Sequence, residues 1–313
     1  MNYRPIIIAT IQTIGLFVAG FAIPLLGQFV ALFTPVPLIL ISMRNGKRDG
    51  LITLLASSAI VGILGGWMAG AILFFSFGLM ALGTSEGMRR NLKPEQTSLL
   101  GGLLPVAALG LIAAFYFSLN NKNPVVLAEA YLRNSVAEAA KLYISMGLTE
   151  MAATATAVSD SFIHYLVRLI PGITITTSVM QAACCYGIAR TIIARKPAAD
   201  PATIQPSLVL WYAPDAWVWG LIAALTLIAV PQETARLLGW NLAILFLAIY
   251  LVQGDAIVEH YLRKAHIKTF ARGLIHAFFL AMPSIVFIIA LGVVDIWSDF
   301  RKVRGPIKNT PQS

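Results

Sequence analysis

Long apolar stretches separated by short polar segments run along the whole chain. They lie at about residues 5–25, 27–43, 49–65, 67–85, 97–119, 169–193, 211–231, 238–258 and 273–297. Most have close to the ~20 residues that an α-helix needs to cross a bilayer. The second stretch is interrupted by Thr34-Pro35-Val36-Pro37, which favours a loop followed by a half-helix or a tilted span. The pattern predicts an all-α fold, a polytopic transmembrane helical bundle of about eight spans, within a range of seven to nine.

Composition supports this class of protein and excludes several others. Apolar residues make up 58% of the 313-residue chain, charged residues only 12%, and the mean hydropathy is +0.78. Soluble domains carry about 25% charged residues, so a soluble enzyme, a disordered chain and a disulfide scaffold are excluded. An outer-membrane barrel is also excluded, because its strands alternate apolar and polar residues. The adjacent Cys184 and Cys185 are too close for an ordinary disulfide and too few for a metal cage.

The net charge of +9 comes from basic residues that gather in every second loop. Positive loops face the cytoplasm, so this placement indicates a membrane orientation rather than nucleic-acid binding. With Arg4 inside, the basic loops contain Arg44, Lys47 and Arg48; Arg89, Arg90 and Lys93; Arg190, Arg195 and Lys196; and Arg263, Lys264, Lys268 and Arg272. We predict a bacterial inner-membrane protein with a cytoplasmic N-terminus. The basic tail favours eight crossings with one re-entrant run, and nine crossings with an exported tail remain an open alternative.

The apolar runs and the segments between them divide the chain into four predicted parts. These are a six-span membrane unit at 1–196, a Pro-rich cytoplasmic linker at 197–210, a two- or three-helix membrane unit at 211–300 and a basic, disordered tail at 301–313. Residues 124–168 have the periodicity of two amphipathic helices on the outer surface, with Glu129 and Arg133 on the polar face of the first. They are either interfacial helices that fill a long loop or a lid over an outward-facing cavity.

Small residues recur at four-residue spacing in two regions of the chain. Gly15 and Ala19 lie in the first span, and Gly62 and Gly66 lie around the third-to-fourth turn. Small faces let membrane helices approach closely, since apolar side chains gain little by leaving lipid. They predict either helix contacts inside the bundle or a docking face for another membrane subunit. The first helix is the natural candidate for such a face.

Polar side chains inside the apolar runs mark a candidate path for a ligand. The candidate ligand-binding residues are Thr10, Thr13, Gln28, Thr34, Thr174, Thr177 and Gln181. Their shared depth toward the outer half would suit a cavity lined by the first, second and sixth spans. Threonine also bonds back to its own helix backbone, which is the alternative explanation.

Ionisable residues in apolar runs are costly in lipid and are therefore candidates for function. They are Asp215, Asp255, Glu259, His276 and Asp295. Each either anchors its helix through the interface or a salt bridge, or has a proton or substrate role. The chain has no zinc-protease, nucleophile-elbow, Walker A or dinucleotide motif. Ser159-Asp160-Ser161 with His164 is the nearest arrangement to a nucleophile cluster, and local capping explains it equally well. We therefore expect no metal, no cofactor and no enzymatic activity.

Several short motifs together resemble a known family. They are Thr34-Pro35-Val36-Pro37-Leu38, Leu169-Ile170-Pro171, Trp211-Tyr212-Ala213-Pro214, Gln253-Gly254 and the ending from Leu291 to Arg301. In these motifs the chain resembles the YybS-like family of predicted bacterial membrane proteins, a domain of unknown function. The first six spans are also similar to the substrate-binding S-component of energy-coupling factor transporters. That likeness implies capture of a vitamin or metal cation, docking on a coupling subunit through Gly15 and Ala19, and a loop over the substrate site at 34–38.

These features lead to three functional hypotheses of different classes, all with the lipid bilayer as a partner. The first is a non-catalytic, transporter-like subunit that binds a small molecule or a lipid from the outer side and works with a coupling subunit. The second is a membrane scaffold that assembles cell-envelope or signalling partners through Gly15, Ala19 and the basic inner loops. The third, an enzyme acting on lipid, is favoured if Asp255, Glu259 and His276 are buried and bonded to one another.

Overall fold

The computed structural model describes residues 3–23, 27–120, 123–194, 211–280 and 284–303. The structure is 87% helical, and the described residues contain no strand, which confirms the all-α fold class. In chain order the helices are α1 (Arg4–Ala22), α2 (Gly27–Ala31), α3 (Pro35–Asn45), α4 (Lys47–Gly65), α5 (Trp67–Ile72), α6 (Leu79–Arg89), α7 (Pro94–Asn120), α8 (Pro124–Ser145), α9 (Thr149–Ala194), α10 (Trp217–Ala229), α11 (Glu233–Lys264), α12 (Thr269–Leu280) and α13 (Ile285–Ser298). A π-helical segment, Leu73–Gly78, joins α5 to α6. The predicted linker at 197–210 and residues 304–313 of the predicted tail lie outside the described residues.

Seven segments within these ranges are long and apolar enough to cross a membrane. They are Arg4–Ala22, Gly27–Asn45, Lys47–Gly65, Trp67–Arg89, Pro94–Asn120, Phe162–Ala194 and Glu233–Lys264. The shorter helices α10 and α13 are also apolar. This number of segments agrees with the predicted range of seven to nine spans.

Helices α1 and α3 to α6, together with α9, form a first unit around an apolar core, and α7 packs against α6 and α9. The core includes the buried side chains of Phe17, Ile39, Leu54, Leu73 and Ala189. At one end of this unit Glu86 pairs with Lys47 at 2.7 Å, and Arg89 donates to the carbonyl of Ser42 at 2.8 Å. We call the end marked by Lys47, Glu86 and Arg89 the basic end of the bundle.

The interruption predicted in the second apolar run coincides with the junction between α2 and α3. Thr34 Oγ1 donates to the carbonyl of Ala31 at 2.7 Å, and Pro35 begins α3. Proline is tolerated in the first turn of a helix because the N–H that it lacks would have no helical partner there. The Thr-Pro-Val-Pro motif therefore starts a half-helix within the span.

The hairpin of α8 and α9 corrects the expectation of two surface helices followed by a separate span. Helix α9 is continuous over 46 residues, about 69 Å at 1.5 Å per residue, because no glycine or proline interrupts residues 149–170. The segment predicted as the second surface helix and the sixth span are thus one element, along which α8 packs. Arg168 bonds Glu129 across the hairpin at 2.6 Å, and this hydrogen bond lowers the pKa of the Glu129 carboxyl below its usual value.

An asparagine of α11 supports α9 where the helix passes through Pro171. Asn241 Oδ1 accepts the N–H of Gly172 at 2.7 Å, and Asn241 Nδ2 donates to the carbonyl of Arg168 at 3.1 Å. In a regular helix those two backbone groups would bond each other. The Asn241 amide therefore joins the second helical unit to the first at a weak point of α9.

We expect Asn241→Leu to destabilise the protein by about 1–3 kcal/mol, because it removes the side-chain partners of two backbone groups in an apolar setting. Thermal unfolding of the purified protein in detergent, followed by circular dichroism, measures the loss. Asn134→Leu, the same change at an exposed site on α8, is the matched control and should cost less than about 0.5 kcal/mol. Equal melting temperatures for the two variants would show that the Asn241 bridge contributes nothing to stability.

The last apolar run, 273–297, covers two helices in the structure, α12 and α13, and residues 281–283 between them lie outside the described residues. Pro283 lies between α12 and α13 in the sequence, and proline removes a helical donor. Both outer ends of the pair contact the same end of α11. Arg272 in α12 bonds Glu259 at 2.5 Å, and the carbonyl of Phe300 after α13 accepts the hydroxyl of Tyr261 at 3.2 Å. The two outer ends of the pair therefore lie near the same end of α11, and whether the pair is the re-entrant run of the eight-crossing alternative stays a prediction.

Candidate functional site

A cleft cavity of about 320 Å³ lies between the first unit and the unit formed by α10 to α13. Helices α7 and α9 form one wall, and α10, α11 and the segment before α10 form the other. The lining residues are Pro94, Glu95, Ser98, Leu99, Val179, Met180, Ala183, Trp211, Ala216, Trp217, Gly220, Leu245, Phe246, Ile249 and Val252. Ser98 donates its hydroxyl to the carbonyl of Pro94 at 2.7 Å. Among the described lining residues, Glu95 is the charged one.

The two walls of the cleft are joined at its polar end. Trp211 Nε1 donates to Glu95 Oε2 at 3.0 Å, which ties the segment before α10 to the first turn of α7. Farther along the cleft, Gly220 lies directly against the ring of Phe246, where a Cβ atom would collide with the ring. The cavity is thus an apolar channel with a carboxylate and an indole at one end. Such a channel suits a ligand with an elongated apolar part and a cation or hydrogen-bond donor at one end.

A buried polar network fixes the position of Trp211. Asp295 accepts hydrogen bonds from Gln253 Nε2 at 3.0 Å and from Arg301 Nη2 at 3.1 Å, and the side chains of Asp295 and Arg301 are 1% and 0% exposed. Arg301 Nη1 also donates to the carbonyl of Trp211 at 3.0 Å, and Gln253 Oε1 accepts the N–H of Ala213 at 3.0 Å. Asp295, which sequence alone presents as an isolated acid in an apolar run, therefore holds the cleft wall together.

A second polar cluster joins α11 to α12. His276 Nδ1 lies 2.5 Å from Asp255 Oδ1, and His276 Nε2 lies 3.0 Å from Glu259 Oε2. Glu259 Oε1 also accepts from Arg263 at 2.6 Å and from Arg272 at 2.5 Å. We call Asp255, Glu259, Arg263, Arg272 and His276 the charged seam. It brings together three of the five ionisable residues that the sequence singles out. Asp255, Glu259 and His276 are bonded as the enzyme hypothesis requires, but their side chains are 38%, 15% and 20% exposed, so the burial that it also requires is only partial.

The charged seam has the chemistry of a proton site rather than of a metal site. Burial acts to lower the pKa of His276, but the hydrogen bond to Glu259 and the charge of Asp255 outweigh it and raise that pKa above its usual value. The guanidinium groups of Arg263 and Arg272 contact Glu259 and would repel a cation. Among the described residues no group of three His, Cys, Asp or Glu side chains is arranged to hold a metal ion.

The seven predicted ligand-binding residues do not line the cleft cavity, and most bond to backbone carbonyls. The bonds run from Thr13 to Ala9, Thr34 to Ala31, Thr177 to Ile173, Gln28 to Gly20 and Gln181 to Leu32, at 2.7–3.0 Å. Thr10 is buried and Thr174 is exposed. Helices α1, α3 and α9 do line a shallow groove, with Gln12, Phe33 and Ile188 on its surface. Ligand binding by these seven residues stays a prediction.

The small residues predicted for helix docking fall into two groups. Gly15 is exposed on α1, with open space where a Cβ would lie. Ala19 contacts Gly27 of α2 through its backbone, Gly62 lies against Gly70 of α5, and Gly66 has φ +90° in the turn between α4 and α5. Gly15 and Gly66 are both exposed with open space beside them, but Gly15 lies within a helix, whereas Gly66 lies in a turn. Asp215, the remaining ionisable candidate, is exposed just before α10.

The comparisons with known proteins identify one family. The profile of a family described as "Predicted membrane protein (DUF2232)" matches residues 11–296. No curated protein and no solved structure matches the chain. The matched range includes every described residue that lines the cleft cavity and all of the charged seam. It includes Asp295 and Gln253 of the buried polar network, but not Arg301.

Proposed function

Because the chain belongs to the family described as "Predicted membrane protein (DUF2232)", whose description names no activity, we propose its function from its own geometry. The protein is a non-catalytic, transporter-like subunit of the bacterial inner membrane that binds a lipid or an apolar small molecule. The cleft cavity between α9 and α11 is the observation that carries this proposal. The partner expected for such a subunit is a membrane coupling protein.

Size and lining both support a lipid-like ligand in the cleft. Its volume of about 320 Å³ falls at the lower end of ligand pockets, which hold roughly 300–1,000 Å³. An acyl chain or a fused apolar ring system matches the lining of Val179, Ala183 and Phe246. A headgroup with an amine or a hydroxyl would meet Glu95 and Trp211. Among the described lining residues the hydroxyl of Ser98 donates to the carbonyl of Pro94 rather than to Glu95, so the proposal includes no catalysis.

The arrangement of the last helices is consistent with a transporter-like role. Discontinuous half-helices inside membrane proteins occur where backbone lines a binding site or a cavity, since lipid cannot satisfy free backbone groups. The pair α12 and α13 has this form, with 12 and 14 residues. If positive loops face the cytoplasm, the basic end of the bundle and the α1 N-terminus lie inside, and the polar end of the cleft lies near the inner surface.

Native mass spectrometry of the protein extracted from its own membrane in mild detergent tests the proposal. We expect the wild type to retain one lipid or small molecule in stoichiometric amount. Ala183→Phe fills the cleft from α9 and should abolish retention of that ligand. Ala223→Phe, the same change on the exposed face of α10, is the matched control and should retain it.

Two outcomes of this experiment would contradict the proposal. Equal ligand retention by Ala183→Phe and Ala223→Phe would place the ligand outside the cleft. Wild-type protein that carries no ligand at all, when extracted in several mild detergents, would overturn ligand binding as the function.

A membrane scaffold is the second candidate, and the exposed Gly15 favours it. A glycine with open space beside it leaves a shallow notch on α1 into which a partner helix fits closely. In the same mass spectra, a stoichiometric partner protein without a small ligand would support this candidate. Gly15→Leu should then remove the partner, whereas Gly110→Leu, also at an exposed helical glycine with open space, should not.

A further inference from the structure

Helix α12 is attached to the protein by its charged face and exposes its apolar face. Arg272 and His276 lie one turn apart and bond residues of α11, whereas Phe270, Leu274 and Phe278 are 79%, 58% and 69% exposed. The apolar side chains of α12 therefore suit a lipid environment. Among the described side chains, those of the charged seam make the hydrogen bonds that join α12 to α11.

The geometry of His276 limits where its protons lie. Both ring nitrogens face carboxylate oxygens, at 2.5 Å to Asp255 and 3.0 Å to Glu259. An ionised carboxylate only accepts hydrogen bonds, and a neutral imidazole has one N–H. Both contacts are hydrogen bonds only if the ring is a cation with two N–H groups or if one carboxyl carries the extra proton. The three side chains thus share one proton beyond the neutral ring.

We propose that Asp255, Glu259 and His276 form a proton-binding site whose occupancy holds the re-entrant helix α12 against α11. The site exchanges its proton with the aqueous phase at the end of α11 marked by Lys264. It is independent of the cleft cavity and works in the same way whether or not a ligand binds there.

The groups around the site determine the direction of its response. Arg263 of α11 and Arg272 of α12 both donate hydrogen bonds to Glu259 and neutralise its charge. On α9, the thiol of Cys184 interacts electrostatically with Asp255. On α13, Asp295 accepts hydrogen bonds from Arg301 and Gln253. His276 therefore supplies the positive charge that faces Asp255.

Loss of the shared proton weakens the attachment of α12. A group whose pKa is raised in the folded protein stabilises it below its ordinary pKa, and the contribution is lost as pH rises through the raised value. For His276, whose carboxylate neighbours raise its pKa, the attachment is complete in mildly acidic solution. It is lost at alkaline pH, when one ring nitrogen faces a carboxylate without a hydrogen.

Hydrogen–deuterium exchange with mass spectrometry, on the full-length protein in lipid nanodiscs between pH 5.5 and 9.5, tests this proposal. After correction for the intrinsic pH dependence, exchange in the 269–280 peptide should rise by about tenfold or more across the titration, because a hydrogen bond between charged groups is lost. The 285–298 peptide of α13, anchored by the buried Asp295 network, is the internal control and should show no such step. Exchange of α12 that is independent of pH would overturn the proposal.

Substitutions of His276 separate a proton site from a merely structural contact. His276→Arg keeps a permanent cation between the two carboxylates, so α12 should stay protected across the whole pH range. His276→Gln removes the charge, and its α12 should exchange rapidly at every pH. His260→Gln, at a neighbouring position of α11, is the matched control and should keep the wild-type pH step. A pH step that persists in His276→Arg would contradict the proposal even if His276→Gln failed to fold.

Discussion

Asp295→Asn is expected to destabilise the protein by about 3–5 kcal/mol, the cost of removing one partner from a buried ion pair. The change leaves the buried guanidinium of Arg301 without its carboxylate in an apolar surrounding, and it weakens the bond from Gln253. Since Arg301 also positions Trp211, the effect should extend to the cleft cavity. Thermal and denaturant unfolding in detergent micelles measures the loss.

Two further variants test the cause of that loss. Lys302→Gln removes an exposed charge next to Arg301 and should change the stability by less than about 0.5 kcal/mol. The double variant Asp295→Leu and Arg301→Met replaces both charges with apolar groups and should recover most of the stability, as buried pairs often do. Asp295→Asn as stable as Lys302→Gln would mean that the pair is solvated rather than buried.

Gly292→Leu is expected to have the second large effect, a loss of about 3 kcal/mol, at the upper end of the usual cost of overpacking. A Cβ at Gly292 would meet the carbonyl of Tyr250 and lie 2.8 Å from the backbone nitrogen of Gly254. These are rigid backbone atoms, so α13 would have to move away from α11. The buried network of Asp295 lies one turn along α13, and its hydrogen bonds would break with that movement.

Gly110→Leu is the control for this prediction, because it makes the same change where no atom lies within 4 Å of the new Cβ. It should leave the protein as stable as the wild type or more stable, since leucine favours a helix over glycine. Unfolding in detergent compares the two variants directly. A Gly292→Leu variant with the stability of Gly110→Leu would show that α11 and α13 are not in backbone contact.

The fold class and family could be predicted from the sequence because they depend on local pattern. Seven apolar segments of membrane-spanning length are helices in the structure, as the sequence predicts. The family match over residues 11–296 confirms the expectation of a family of uncharacterised multi-pass membrane proteins. The likeness to S-components stays a prediction. Helix ends are harder to predict, because the amphipathic period of α9 continues into the span without a breaking residue, and hydropathy alone presents α12 and α13 as one run.

The candidate sites depend on contacts that no local pattern contains. Ala183, Gly220 and Phe246 are ordinary apolar residues in sequence, and they line a cavity only because α9, α10 and α11 meet there. Asp255, Glu259 and His276 stand out as ionisable groups in apolar runs, but their pairing requires the chain reversal between α11 and α12. In the sequence Arg272 is one of several basic residues in a loop, and only the chain reversal brings it into hydrogen-bonding contact with Glu259.

Electron cryomicroscopy of the wild-type protein in nanodiscs of its own membrane lipids most directly tests ligand binding in the cleft. We predict an elongated density between α9 and α11 that passes Ala183 and ends beside Glu95 and Trp211. A map in which Met180 and Phe246 close the cleft, or in which the open cleft holds no density, would contradict a ligand-binding function for this protein.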